Sequence, residues 1–180
     1  MLVQVVTDLS AWPWPNERSV ITIGAYDGVH LGHQAVIGQV RERAARVGAK
    51  SVVVTFDRHP ASVVRPEAAP RLLTNTAQKL ELLAATGVDA VVVLSFTPEQ
   101  SKEIPSDFVQ RVIVDGLHAS TVIVGSDFHF GHMRQGNVTL LREMGERHDF
   151  TCEPVVLIDR ADDIDEPVSS TAIRRALAGG

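Results

Sequence analysis

The fold is decided by VITIGAYDGVHLGHQ, residues 20–34. Residues 20–24 (VITIG) are an almost unbroken apolar, β-branched run, the composition of a strand buried on both faces rather than one with a wet side. The run gives way to Gly24-Ala25-Tyr26-Asp27-Gly28-Val29-His30-Leu31-Gly32-His33. An amphipathic stretch, residues 33–47 (HQAVIGQVRERAARV), then ends at Gly48, a residue suited to a helix C-terminus. Strand, glycine-rich turn and helix in that order make half of a βαβ unit. Gly24 and Gly28 permit close backbone approach, Gly32 leaves room against the helix, and a helix N-terminus attracts anions. His30 and His33, three residues apart, can face the same way and donate ring N–H bonds to phosphate oxygens.

The same alternation continues along the chain. Further strand-like runs lie at residues 51–56 (SVVVTF), 90–95 (AVVVLS), 120–125 (STVIVG) and 154–158 (PVVLI). Helical patterns occupy residues 75–86, ending at Gly87, and 105–117, with Phe108, Val109, Val112 and Ile113 at helical spacing. A last helix starts at Ser170. Strands alternating with helices predict an α/β architecture: an open, mostly parallel sheet of about five strands with helices on both faces and right-handed crossovers. Residues 58–70, with three prolines, and the acidic residues 159–166 are expected to be loops. The 180 residues have the size of a single domain.

Composition narrows the function classes. Lys and Arg number 17 against 22 Asp and Glu, a net charge of −5, so the chain lacks the positive field that drives non-specific nucleic-acid binding. Any phosphate contacts are local, and no nucleic-acid partner is expected. The single cysteine, Cys152, can form neither an internal disulfide nor a multi-cysteine zinc site. No apolar run approaches the 18 or so residues of a spanning helix, and the N-terminal stretch carries Asp8 with no basic leader, so neither a membrane nor a secretory signal is expected. Cytoplasmic location is the default.

Every unusual cluster falls at the carboxyl end of a predicted strand, where ligands of open parallel sheets gather beside the reversal of strand order. The decapeptide 24–33 is neither the dinucleotide fingerprint G-x-G-x-x-G nor a phosphate loop ending in Gly-Lys-Ser/Thr. A zinc pair or two structural histidines at a helix cap remain alternatives for His30 and His33. The second strand ends in Thr55-Phe56-Asp57-Arg58-His59-Pro60, where Phe56 and Pro60 offer an apolar wall and Arg58 and His59 offer donors, a combination for a flat, phosphorylated ligand. The fourth ends in Gly125-Ser126-Asp127-Phe128-His129-Phe130-Gly131-His132, suited to an aromatic ring or a ribose. After the fifth comes Ser169-Ser170-Thr171-Ala172-Ile173-Arg174, a capped helix start with a guanidinium one turn in, suited to a polyphosphate. For each, a plain turn or cap is the competing structural reading.

These residues together resemble the adenylyltransferase module of the bacterial bifunctional riboflavin kinase/FMN adenylyltransferase family. The resemblance runs through GAYDGVHLGHQ at 24–34, VVTFDRHP at 53–60, residues 70–79, GVDAVVVLSF at 87–96, DFV at 107–109, VIVGSDFHFG at 122–131 and SSTAIR at 169–174. His-x-Gly-His and Ser-Thr-x-x-Arg belong to the wider nucleotidyltransferase superfamily; the TFDRHP and GSDFHFG blocks point to flavin. Tyr26 stands where the family usually has Phe. The family's riboflavin kinase domain, with its Pro-Thr-Ala-Asn motif, is missing from these residues, so kinase activity is not expected of them.

The resemblance implies a Rossmann-like nucleotidyltransferase fold and the reaction of FMN with ATP to give FAD and pyrophosphate, with Mg2+ accompanying ATP. It implies His30, His33 and Arg174 as catalytic residues. It implies an ATP site of Gly24, Ala25, Tyr26, His30, Gly32, His33, Asp127, Ser170, Thr171 and Arg174, and a flavin site of Phe56, His59, Pro60, Asp127, Phe128 and Phe130. No protein ligand set for a metal is expected, the ion being held mostly by phosphates and water. Rival readings are another small-molecule nucleotidyltransferase of the superfamily, which leaves TFDRHP and GSDFHFG unexplained together, and a non-catalytic flavin or nucleotide-binding module.

Overall fold

Six strands, one more than expected, pair in a single sheet that is parallel throughout, in a computed structural model that describes residues 2–156 and 168–179. They are β1 (Gln4–Val6), β2 (Ser19–Ile23), β3 (Lys50–Phe56), β4 (Ala90–Leu94), β5 (Ala119–Gly125) and β6 (Thr151–Val155). The order is β1-β4-β3-β2-β5-β6. β2, β3 and β4 lie side by side as they follow in sequence, and the chain then returns to the other side of β2 to lay down β5 and β6. The order therefore reverses at β2, and the crevice beyond Gly24 and Gly125 is the place where such sheets bind ligands.

The central strands are buried along both faces, as their unbroken apolar runs require. On one face Ile21, Ile23, Val52, Val54, Val92, Leu94, Val122 and Val124 share a core with Phe108, Val109, Val112, Ile113, Leu141 and Met144. On the other, Val53, Val91 and Val93 meet Ile37 and Leu83, while Val20 and Ile123 meet Val36, Val40 and Ala44. The covering helices are α1 (Leu31–Val47), α2 (Pro60–Val64), α3 (Thr76–Ala85), α4 (Pro105–Phe108), α5 (Val138–His148) and α6 (Ser170–Gly179). α3 opens with a reciprocal cap: Asn75 accepts from the Gln78 amide, and the Gln78 side chain accepts from the Asn75 amide. α4 widens into a π-helical turn over Val109–Gly116, closed where the Leu117 amide reaches back to the Val112 carbonyl.

Four expectations need correction. β1 was not anticipated, because three residues with only Val6 buried carry too little periodicity. The strand expected at 154–158 begins earlier, at Thr151; it is an edge strand, so Pro154, which has no amide hydrogen to give, is tolerated there. Its expected end, residues 157–158, and the acidic residues 159–166 lie outside the described residues. Residues 58–70 are not all loop: Pro60 at the first helical position starts α2, and Pro66–Ala68 form a 3-10 turn. Between β5 and β6, α5 also went unread. Among the described residues no helix is long and apolar enough to cross a membrane.

Candidate functional site

The turn after β2 carries three side chains that pack on one another. Tyr26 is buried, and its hydroxyl lies 2.6 Å from Thr22 Oγ1 on β2. Burial raises the phenol far above its ordinary pKa. The His33 ring packs edge-on against Tyr26, with centroids 4.8 Å apart, and stacks on His30 at 3.6 Å. His30 also caps α1, its Nδ1 accepting from the His33 amide. Burial, with a smaller contribution from His30, pushes His33 down to about 3; burial alone lowers His30. Burial thus holds both rings in the neutral form at physiological pH. His33 Nδ1 is buried with no hydrogen-bond partner among the described residues. Tyr26, expected in the ATP site, is placed behind His33 as a wall.

Gly32 has a packing role in addition to the expected one. A Cβ there would come within 3.2 Å of both the His30 ring and the Val168 carbonyl, so glycine lets the segment entering α6 lie against the histidine turn. Gly28 adopts a positive φ of 81°, and a Cβ on it would meet Leu73 at 2.8 Å. Both glycines serve packing between distant segments of this chain.

Asp27 is where those segments meet. Only 4% exposed, its carboxylate accepts from the Leu73 amide at 2.9 and 3.0 Å, the Thr74 amide at 3.0 Å and Thr74 Oγ1 at 3.1 Å. Arg174 Nη2 donates to Asp27 Oδ2 at 2.5 Å, and Arg174 Nε donates to the Arg71 carbonyl at 2.6 Å. Burial works against the carboxylate charge, but the hydrogen bonds from Leu73, Thr74 and Arg174 outweigh it and hold the Asp27 pKa below the ordinary value. Ser169 is the cap of α6, accepting from the Ala172 amide, which leaves the Ser170 hydroxyl to donate to the Asp27 carbonyl at 2.8 Å. Thr171, on the same turn, is exposed. The helix start expected to clamp phosphates is thus fastened to the histidine loop through Asp27.

A second buried charge ties the strand ends together. Lys79 on α3 is 8% exposed, and its Nζ donates to the Phe56 carbonyl at 2.8 Å, to Thr55 Oγ1 at 3.2 Å and to the Ala25 carbonyl at 3.3 Å. His59 lies in the same small polar pocket, lined by Ala25, Asp27, Asp57, Thr74 and Lys79. It caps α2, accepting from the Ala61 amide, and burial with the nearby Arg174 charge lowers its pKa. His59 was expected on the flavin side; the structure puts it beside Asp27 and Lys79.

The aromatic cluster lies on the other side of Ala25. A cavity of about 720 Å³ opens beyond the ends of β2 to β5. Its walls include Gly24, Ala25, Phe56, Pro60, Asp127, Phe128 and Phe130, which brings together all the flavin-site expectations except His59. Five of the chain's six phenylalanines face it, Phe96 and Phe108 being the two not anticipated. Phe128 stacks with Phe130 at 5.5 Å, Phe130 meets Phe108 at 5.6 Å, and Phe56 meets Phe96 edge-on at 5.5 Å. Pockets of this size lined by rings and a few polar groups suit a flat heteroaromatic ligand. Asp127 is exposed at the mouth. Cys152 lies far from all this; burial pushes its thiol up to about 11, so it is no nucleophile.

Asp27 and Lys79 were the two polar residues missed as site members. Each left a trace: Asp27 is an acid inside a glycine-rich motif, and Lys79 shares a helix face with Leu83, one turn away. A charge on an apolar face is worth a partner search.

The family model described as FAD synthetase matches residues 13–172. The bifunctional riboflavin kinase/FMN adenylyltransferase of Pseudomonas fluorescens is 40% identical over 165 residues, 91% of this chain and 52% of that protein. The protein of the same description from Listeria monocytogenes is 36% identical over 170 residues, 93% of this chain and 52% of its own length. The chain spans about half the length of the curated relatives it matches. Among solved structures, a macrolide-efflux protein from Streptococcus pneumoniae superposes with a TM-score of 0.77 at 22% identity, over 98% of this chain and 57% of that one, a likeness of fold alone. With its family model matched from residue 13 to residue 172 and its relatives aligned over nine-tenths of its length, this chain belongs to the FAD synthetase family.

Proposed function

We propose that the chain transfers the adenylyl group of ATP to FMN, giving FAD and pyrophosphate, with the flavin in the aromatic cavity and the triphosphate at the histidine turn beside it. The observation that carries this is an aromatic cavity of about 720 Å³, walled by Gly24, Ala25, Phe56, Phe128 and Phe130, adjoining the turn that runs on from Gly24 and Ala25 to the stacked His30 and His33, to which the start of α6 is fastened. A phosphate chain at the turn and a fused ring in the cavity fit that arrangement.

In the proposed reaction an FMN phosphate oxygen attacks the α-phosphorus of ATP, and the bond from that phosphorus to the oxygen bridging to the β-phosphate breaks. Pyrophosphate leaves with the bridging oxygen. The attacking oxygen is already ionised at neutral pH, so no strong base is required, and the protein contributes position and charge stabilisation. His30 and His33 serve as neutral donors to the phosphates at the start of α1. Ser170, Thr171 and Arg174 hold the departing β- and γ-phosphates. Gly24, Ala25 and Gly32 supply close backbone, and Asp127 orients hydroxyl groups where the two substrates adjoin. Phe56, Pro60, Phe128 and Phe130 enclose the flavin.

Mg2+ is proposed to arrive with ATP and to neutralise its triphosphate. Among the described residues no group of three His, Cys, Asp or Glu side chains gathers to hold a metal, and both Asp27 oxygens already accept hydrogen bonds. The riboflavin kinase activity named in the relatives is not assigned to these 180 residues, which lack the Pro-Thr-Ala-Asn motif. Incubation with FMN, ATP and Mg2+, with FAD followed by chromatography, tests the proposal. FAD formation from FMN and none from riboflavin is expected; tight binding of both substrates without product would make the chain a binding module instead.

A further inference from the structure

The geometry points to Asp27 as a positioning residue that aims the Arg174 guanidinium at the triphosphate, a role that rests on the proposed adenylyl transfer and names what holds its clamp in place. Three observations combine. First, the carboxylate is oriented before Arg174 is considered: three donors from Leu73 and Thr74 fix both oxygens, and the group is 4% exposed. Second, Arg174 is held by one edge. Nη2 on Asp27 and Nε on the Arg71 carbonyl are adjacent donors of the planar fork, so fixing them fixes the plane and turns Nη1 the opposite way. Among the described residues Nη1 has no hydrogen-bond partner. Third, the same residue also pins the backbone from which Arg174 projects, because Ser170 Oγ donates to the Asp27 carbonyl.

A buried ion pair is a poor way to gain stability, since a well-packed apolar pair of the same volume often does as well or better. It is a good way to fix direction. Asp27 leads by three residues into His30 and by six into His33, so a guanidinium aimed from Asp27 has its bearing set relative to the histidines and not merely to α6. Arg174 side-chain exposure of 17% against 5% for Asp27 places the carboxylate behind the guanidinium, on the side away from solvent.

A double-mutant cycle with ATP, Mg2+ and FMN tests this. D27N keeps an acceptor for the Leu73 and Thr74 amides and removes the charge facing Arg174. It is expected to raise KM for ATP about tenfold with KM for FMN unchanged, and R174A to raise KM for ATP at least about tenfold. The double variant is expected to be no worse than R174A, because Asp27 has nothing left to aim. Should D27N fail to fold by thermal melt, T74V, which removes one hydroxyl bond to Asp27, is expected to raise KM for ATP about threefold, again only while Arg174 is present. Additive effects, or equal losses for ATP and FMN, would overturn the role of Asp27 and leave the Arg174 clamp standing. An R174A variant with unchanged KM and turnover would overturn both.

Discussion

The polar cluster and the aromatic cavity that share Ala25 are built by opposite means. The polar one is a closed account of donors and acceptors: Asp27 accepts from a hydroxyl, two amides and a guanidinium, and Lys79 distributes its three hydrogens among three oxygens. The aromatic one has few such ties. Its rings meet at 5.5 to 5.6 Å, and its rim carries exposed apolar side chains, Val64 at 58% and Met133 at 78%. Fixed donors discriminate steeply, because a lost partner leaves a buried polar group stranded. Packed area discriminates gently, because each contact contributes little and neighbouring rings adjust. Damage on the polar side is therefore expected to be large and specific, and on the aromatic side graded.

The sharpest break is H33A. Losing one preorganised donor to the reacting phosphates is expected to lower turnover about 10²–10³-fold while far-UV circular dichroism stays unchanged; turnover within a few-fold of wild type would remove His33 from the chemistry. R174A follows, with KM for ATP raised roughly 10- to 100-fold, the scale of a charge-assisted hydrogen bond, and KM for FMN little changed. K79M attacks the frame rather than the ligand. It removes the donor to the Phe56 carbonyl and leaves the Ala25 carbonyl with the Thr55 hydroxyl alone, and chemical denaturation is expected to show a loss of about 2 kcal/mol. On the aromatic side F128A is expected to weaken FMN by only about 3- to 10-fold in titration, with ATP unaffected; a loss as steep as that of H33A would erase the contrast.

The smallest effect concerns pH. With His33 pushed down to about 3, its titration lies outside the working range, and the pH profile of kcat/KM, which reports the free enzyme, is expected to show no inflection from His33 between pH 6 and 9. Stability responds instead. The unfolded chain takes up a proton near 6.5 that the folded chain refuses, so the neutral His33 contribution is complete above 6.5 and is lost as pH falls from there toward 3. Asp27, whose pKa is also lowered, is lost in the same direction at still lower pH. Melting temperature is thus expected to fall on acidification, and less steeply between pH 6.5 and 4 in H33Q.

Much of this was legible in the sequence, for reasons that particular residues show. The β-branched runs at 20–24, 51–56, 90–95 and 120–125 are strong because the strands are buried on both faces, and the structure places each within a residue of its expected limits. β1 and β6 are edges, where half-exposed residues and a proline dilute the signal. In the candidate site, residues placed by their own motif were readable in position: His30 at the start of α1, Phe128 and Phe130 after β5. Residues whose meaning depends on a distant partner were not. Nothing near Asp27 in sequence announces Arg174, and nothing near His59 says that it turns toward Lys79 rather than toward the rings.

The position of β2 has one more consequence, in time rather than space. Its neighbour β5 pairs Ala119 with Ser19, and the ties from Ser170 and Arg174 back to Asp27 come later still. During synthesis the ribosome delivers β2, β3 and β4 first, so half of the central sheet waits with one flank of β2 unpaired until residue 119 and beyond emerge. Distant pairings of this kind are slow to close. The nascent chain therefore carries its histidine turn long before it has a finished pocket, and nucleotide binding is expected only once Ser170 and Arg174 have emerged.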